Sequence, residues 1–437
     1  MLTSPLNILH VLEPSVDGHD AVLGVLACVQ NLGGPGVRHM AILLGSHDDE
    51  LDAQALGLTL TDRVTTPHFG AAGERLIDWT LTQFRQQRSI ARIVRARHEQ
   101  VGGIDGVVCW SAGRAGRIAD VVSEVCGPRT RVIAMLTRGP RETHRDALWP
   151  HVGTGAGRVR VACMDEDIAS AWRAAGVQRA NVLVAPVVQF DGGDENSRGS
   201  PESQRQRLRA ELAIRPDEIA VGLLCDPATF GEARLFAWIM GVLAISGRTC
   251  VGIAPQDAGS TRRAARYLRL HHRHWEIATF RGPGALAMRA ADIVIWDTDP
   301  ARVGVQIAQP PSGQLSALSV ASMGIPIVTV ASGLTRRTLV GAPGWCRVGN
   351  ASMPSLGAGV LPLADDPALR ATVGAAIARA VDSPARNRAF GDALESLLRD
   401  ATMSRQRAGE AGLSAVAIGS TPQDGASLAG SHVYAKG

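Results

Sequence analysis

The chain has 437 residues, of which 45% are apolar and 20% charged, and its formal net charge is +4. The length exceeds the ~100–200 residues of one compact domain, so two cores are expected, and the composition excludes a disordered or fibrous chain. The only lysine is Lys436, which excludes a Walker A phosphate loop and a Schiff-base lysine in the folded body, and the small, scattered positive charge argues against a nucleic-acid partner.

In chain order, the opening MLTSPLNILHVLE carries no basic leader, and no apolar run approaches the ~18–20 residues of a membrane span, so a cytoplasmic address is expected. Strands are predicted at Asn7–Leu12, His39–Leu44, Val107–Trp110, Arg131–Leu136, Val159–Cys163 and Asn181–Ala185. Helices alternate with them near Asp20–Asn31, Glu74–Glu99, Arg117–Val125 and Asp167–Ala175. The last has Asp165, Glu166 and Asp167 at its start, an apolar stripe of Ile168, Ala171, Trp172 and Ala175, and Gly176 after its end, so cap, dipole and periodicity agree. Gly192–Gln204 is nearly devoid of apolar residues and reads as a linker or exposed loop.

Beyond the linker, strands are predicted at Ile219–Leu224, Cys250–Ala254, Ile277–Phe280, Asp292–Trp296 and Pro326–Val330, with helices near Glu232–Ile245, Thr261–Leu270 and Leu315–Met323. Helices at Pro367–Asp382 and Asn387–Thr402 close the fold, and the Gly/Ala/Ser-rich segment from Ser404 is expected to be disordered. Strands alternating with helices imply an α/β protein of two doubly wound parallel sheets. The expected division is an N-terminal domain over 1–190, a linker and first helix over 191–215, and a C-terminal domain over 216–385. A closing helix over 386–403 and the tail 404–437 complete it. The seven scattered cysteines contain no C-x-x-C pair and are expected to be reduced and buried.

Ligands of open parallel sheets bind at the carboxyl ends of strands, so the loops there carry the candidate chemistry. Pro-Pro-Ser-Gly at Pro310–Gly313 leads into a helix whose unpaired N–H groups and dipole suit a diphosphate; Ser312, Ser316 and Ser319 share one of its faces. Ser312 could equally be an ordinary N-cap and the other serines close-packing residues. After the first strand, Gly18 would let the backbone approach a ligand, and Asp17, His19 and Asp20 bring ionisable groups to a helix start. Asp17 or His19 is a candidate general base, with capping by Asp17 as the plain alternative. Arg138, in the loop after Leu136, could hold an anionic acceptor or lie solvated.

Other motifs are set aside. GTGAG at Gly153–Gly157 precedes a strand, the wrong order for a dinucleotide fingerprint. His271, His272 and His274 lack the carboxylate and spacing of a metal site, and no metal requirement is expected. Arg85, Arg88, Arg92, Arg95 and Arg97 form a basic helix that reads as a solvated face and leaves peripheral contact with anionic lipid open.

The ordered series NILHVLEPSVDGHDAVLGVLACVQNLG, VRHMAILLG, VRVACMDEDIASAWRAAGVQRANVLVAPVVQFD, RLRAELAIRPDEIAVGLL, WEIATFRGPG, MRAADIVIWD and LSVASMGIPIVTVASG resembles the retaining, nucleotide-sugar-dependent glycosyltransferases of family four, the glycogen-synthase-like group. The likeness spans most of Asn7–Asp400. It implies the GT-B architecture of two facing Rossmann-like domains, a hexosyltransferase-type activity and a UDP- or GDP-sugar donor. The acceptor, whether glycan, lipid or small molecule, is not implied. By the same resemblance Arg281, Gly282 and Pro283 match the turn that meets the nucleobase, and Ser312, Gly313, Gln314 and Leu315 match the diphosphate loop. Ser319 stands where a glutamate usually binds ribose, and Pro311 where its partner glutamate stands. The family's Arg and Lys, which neutralise the departing diphosphate, fall near Asp226 and Gly231, with Arg234 as a partial substitute. A catalytically silent GT-B binding or scaffolding module is therefore the alternative function, and an epimerase of the same fold a third, less favoured one.

Overall fold

The computed structural model describes residues 6–13, 19–32, 36–56, 58–65, 76–110, 112–127, 130, 132–137, 139–140, 159–188, 201–224, 232–255, 277–280, 284–296, 313–330, 346–348, 353–381 and 384–398. Among these, two parallel sheets organise the chain.

The first sheet uses β1 (Leu6–Leu12), β2 (Val37–Gly45), β3 (Asp62–Thr65), β4 (Gly106–Cys109), β5 (Val132–Leu136), β6 (Val159–Cys163) and β7 (Ala180–Val182) in the order β3-β2-β1-β4-β5-β6-β7. Its helices are α1 (His19–Leu32), α2 (His47–Ala55), α3 (Leu76–Val101), α4 (Ala112–Cys126) and α5 (Glu166–Ala174). Both faces of the sheet are covered. Leu9 and Val11 of β1 pack with Val94, Ile118, Ile168 and Trp172 of α3, α4 and α5, whereas Ile8 and Leu12 pack with Ala21, Val25 and Cys28 of α1. Strands buried on both faces must be apolar throughout, which is why they read as continuous hydrophobic runs and not as alternating ones.

The second sheet, in the order β10-β9-β8-β11-β12-β13, is built from β8 (Ile219–Leu224), β9 (Cys250–Pro255), β10 (Ile277–Phe280), β11 (Ile293–Trp296), β12 (Ile327–Val330) and β13 (Cys346–Val348). The helices α6 (Pro201–Glu211), α7 (Glu232–Ile245), α8 (Gly284–Ala287), α9 (Gln314–Ser322), α10 (Met353–Asp365) and α11 (Pro367–Val381) accompany it, followed by α12 (384–398). Asp292 ties α6 to this sheet: its carboxylate accepts from the Ala220 amide at 2.7 Å, from Arg205 at 2.6 Å and from Arg209 at 3.1 Å.

α12 leaves the second unit and packs on the first. Phe390, Leu394 and Leu398 bury one stripe of it, and Gly391 allows close approach to the Asn31 carbonyl of α1. The Asn387 side chain pairs with both backbone groups of Val187, accepting from the amide at 2.8 Å and donating to the carbonyl at 3.0 Å. Arg160 of β6 donates to the Leu397 carbonyl at 3.3 Å.

The short strands β3 and β13 were not predicted, and the linker and two helices also differ from expectation. The linker ends earlier than Gln204, because Pro201 at the first helical position and Glu202 in the first turn start α6 there. The unpredicted α2 opens on a capping box in which the Asp49 carboxylate accepts from the Ser46 amide at 2.7 Å and the Ser46 hydroxyl accepts from the Asp49 amide at 3.2 Å. The unpredicted α10 contains Pro354, Gly357 and Pro362, which lower helix propensity, yet it forms because Leu356, Val360 and Leu363 are fully buried along one face. The expected helix near Thr261–Leu270, the GTGAG segment, the clustered histidines and the C-terminal tail lie outside the described residues.

Candidate functional site

Each sheet reverses its strand order once, between β1 and β4 in the first and between β8 and β11 in the second. These are the points at which doubly wound sheets open a crevice. In the first, β1 ends at Leu12 and is followed by the buried Glu13, and α1 begins at His19 after residues 14–18. In the second, β8 ends at Leu224 and β11 at Trp296, and α9 begins at Gln314. The start of α1 and the start of α9 meet.

The contact is a carboxylate on a helix tip. Asp20, only 5% exposed, accepts hydrogen bonds from the Leu315 amide at 3.2 Å, the Ser316 amide at 3.2 Å and the Ser316 hydroxyl at 2.8 Å. α9 lacks a side-chain cap of its own, because Gly313 stands at the N-cap with φ 82° and ψ 20°, a left-handed conformation that glycine adopts without strain. Asp20 supplies the missing acceptor from the other sheet's helix. A negative charge at the positive end of the helix dipole adds to the hydrogen bonds. Along α9, Gln314 through Ala321 are all buried, and Ser322 at its end is half-buried. Trp296 at the end of β11 closes the floor, its Nε1 lying 3.6 Å from where a Gly313 side chain would begin.

The predicted diphosphate cradle is therefore partly described. Gly313, Gln314, Leu315 and Ser316 sit together at the tip, with the Leu315 and Ser316 amides engaged by Asp20. Ser319 lies one turn deeper, fully buried, and donates its hydroxyl to the Leu315 carbonyl at 2.8 Å. A ligand has no surface of Ser319 to touch in this arrangement. Ser316 and Ser319 follow the predicted helical spacing, but they serve different partners. His19 opens α1 and Arg234 lies in α7; their backbones alone are described. Asp17, Gly18, Arg138, Asp226, Arg281, Gly282, Pro283 and Ser312 lie outside the described residues.

Asp20 was read from the sequence only as an ionisable group at a helix start, and its contact with the other sheet was not foreseen. Its partner is 296 positions away, and no local signal announces it. Among the described residues no group of three histidines, cysteines or carboxylates is arranged to hold a metal. Cys28, Cys163 and Cys250 form no disulfide; burial pushes the Cys163 thiol up to about 12 and the Cys250 thiol up to about 11, so neither is a thiolate nucleophile at neutral pH. On α3, Arg85, Arg88, Arg92 and Arg95 are exposed, while Arg97 donates to Asp62 at 2.6 Å. No helix among the described residues is long and apolar enough to cross a membrane.

Beneath α1 lies a buried polar chain. The Trp110 indole N–H donates to His10 Nδ1 at 3.3 Å, and His10 Nε2 lies 2.9 Å from His39 Nδ1. Indole nitrogen can only donate, so His10 Nδ1 accepts and its proton is on Nε2. His39 Nδ1 must then accept in turn, which leaves the His39 proton on Nε2, a buried nitrogen with no hydrogen-bond partner among the described residues. Burial, then the neighbouring His39, hold His10 well below the usual histidine range, and burial lowers His39 as well.

No protein-family model matches the sequence, and no curated protein matches it. Solved structures do. A glycosyltransferase from Rickettsia africae is 10% identical with a TM-score of 0.61, covering 92% of this chain and 99% of that one. HepE from Anabaena, solved in complex with UDP and glucose, is 16% identical with a TM-score of 0.61, covering 90% of this chain and all of that one. The UDP-GlcNAc 2-epimerase from Neisseria meningitidis, solved bound to UDP-GlcNAc, is 10% identical with a TM-score of 0.51 over 90% and 100% of the two chains. The chain has the GT-B fold of two Rossmann-like domains.

Proposed function

We propose that this GT-B protein takes a nucleotide sugar as donor and transfers its sugar to an acceptor hydroxyl. The observation that carries the reading is the meeting of the two switch points at the tip of α9, whose N-cap is a glycine and whose first-turn amides already hold an anionic group. The higher TM-score of the glycosyltransferase neighbours, 0.61 against 0.51 for the epimerase, favours transfer over epimerisation. In the proposed step the acceptor oxygen bonds to the anomeric carbon, the bond to the diphosphate breaks, and the diphosphate keeps the electron pair. Asp17 or His19 takes the acceptor proton, and Arg138 holds the acceptor.

The departing charge needs stabilisation worth several kcal/mol, commonly ~10²–10³ in rate per donor group. Without lysine in the folded body, that role falls to the amides of Gly313, Gln314, Leu315 and Ser316 with Ser312, and to Arg234 and Arg281. The proposed mechanism requires no metal. In this reading Gly18, Asp226, Gly282 and Pro283 contribute to donor binding.

A silent binding module is the second reading, favoured by Ser319. A buried hydroxyl bonded to its own helix replaces the carboxylate that the resemblance leads one to expect for ribose. Calorimetric titration with UDP and GDP, followed by hydrolysis assays on their glucose conjugates, separates the readings. Binding with turnover supports the transferase, and binding without turnover supports the module. Failure to bind either nucleotide removes both.

A further inference from the structure

We propose that Asp20 is an internal competitor for the diphosphate seat: its carboxylate occupies the amides that a nucleoside diphosphate would use, so the ligand binds only by displacing it. The inference rests on the donor-site reading above and adds a specificity residue to it. Asp20 places two oxygens on two successive amides and a third hydrogen bond on the Ser316 hydroxyl, the contacts one phosphate group would make at a helix start. The site is nearly closed to water, with Asp20 and Ser316 both buried.

Two anions cannot share it. A phosphate a few ångströms from the carboxylate would meet repulsion that partial burial leaves poorly screened. Entry of the diphosphate therefore requires the Asp20 carboxylate to leave the start of α9. Because these helices belong to different sheets, the exchange removes a contact between the two units. A state latched in nine molecules of ten weakens apparent affinity about tenfold, since only the unlatched fraction binds.

The test compares the full-length wild-type chain with Asp20→Ala and Asp20→Asn, titrating UDP, GDP and uridine. We expect about a tenfold or larger gain in UDP or GDP affinity for Asp20→Ala, a smaller gain for Asp20→Asn, and no gain for uridine, which carries no phosphate. Hydrogen exchange at the Leu315 and Ser316 amides gives a second readout: fast in ligand-free Asp20→Ala, slow in the wild type, and slowed again in the variant by UDP. Equal or weaker nucleotide affinity in the variants overturns the competitor while leaving the donor site standing. An equal gain for uridine also overturns it, because the effect would then lie away from the phosphates. If no protein binds UDP or GDP, the donor-site reading itself fails. If Asp20→Ala does not fold, the isosteric Asp20→Asn carries the comparison alone.

Discussion

The Trp110–His10–His39 chain makes stability depend on pH in a direction that can be worked out. Folding keeps His10 neutral, whereas the unfolded chain takes up a proton near the ordinary value of 6.5. Stability is thus complete above that value and falls as pH drops through it, by up to about 1.4 kcal/mol per pH unit for each histidine held neutral. Urea midpoints measured between about pH 7.5 and 5.5 should fall accordingly, and the slope should flatten in His10→Gln. An unchanged slope in that variant would clear His10 of the effect. Above the same chain, Gly24 of α1 lies against the Trp110 ring, where any side chain would overlap the indole. Gly24→Ala should cost about 1–3 kcal/mol through overpacking, read as a lower urea midpoint with unchanged m. Neither contact was legible beforehand: His10 sits in an apolar strand run, and its partners are 29 and 100 residues away.

Among the elements, those with signals written locally were predicted close to their ends. α5 is the clearest case. Its N-cap Asp165 accepts from the Asp167 amide at 2.8 Å, and Gly176 follows at φ 102°. Asp165→Ala should lower stability by about 1 kcal/mol, measured by denaturant unfolding, and Asp165→Ser should restore most of the loss. β6 and β8 were found at their observed limits because branched apolar runs bounded by polar residues leave little choice. α10 escaped for the opposite reason. Its prolines and glycines speak against a helix locally, and burial against the second sheet outweighs them, with Gly357 making room for the Trp238 ring. α9 was found, but its surroundings were not. Its serines read either as a ligand-facing row or as close-packing residues, and the structure buries Gln314 through Ala321.

At the level of the whole molecule, two doubly wound sheets followed from the alternation of strands and helices, while their mutual arrangement did not. That arrangement depends on pairs such as Asp20 with Ser316, 296 residues apart, and Asn387 with Val187, 200 residues apart, which leave no mark on local pattern. Asn387→Ala breaks two hydrogen bonds that pin α12 to the segment after β7. It should cost about 1–3 kcal/mol and raise hydrogen exchange at the Val187 amide more than in the cores of either sheet. A uniform rise across both sheets would instead mean that α12 supports global stability alone.

The central claim is that the tip of α9, facing α1 across the two switch points, receives a diphosphate. A crystal structure of the full-length chain grown with saturating UDP or GDP tests it most directly. The account predicts phosphate oxygens on the Leu315 and Ser316 amides and Asp20 turned away from them. Nucleotide bound elsewhere, or Asp20 still seated on both amides with nucleotide present, would contradict it.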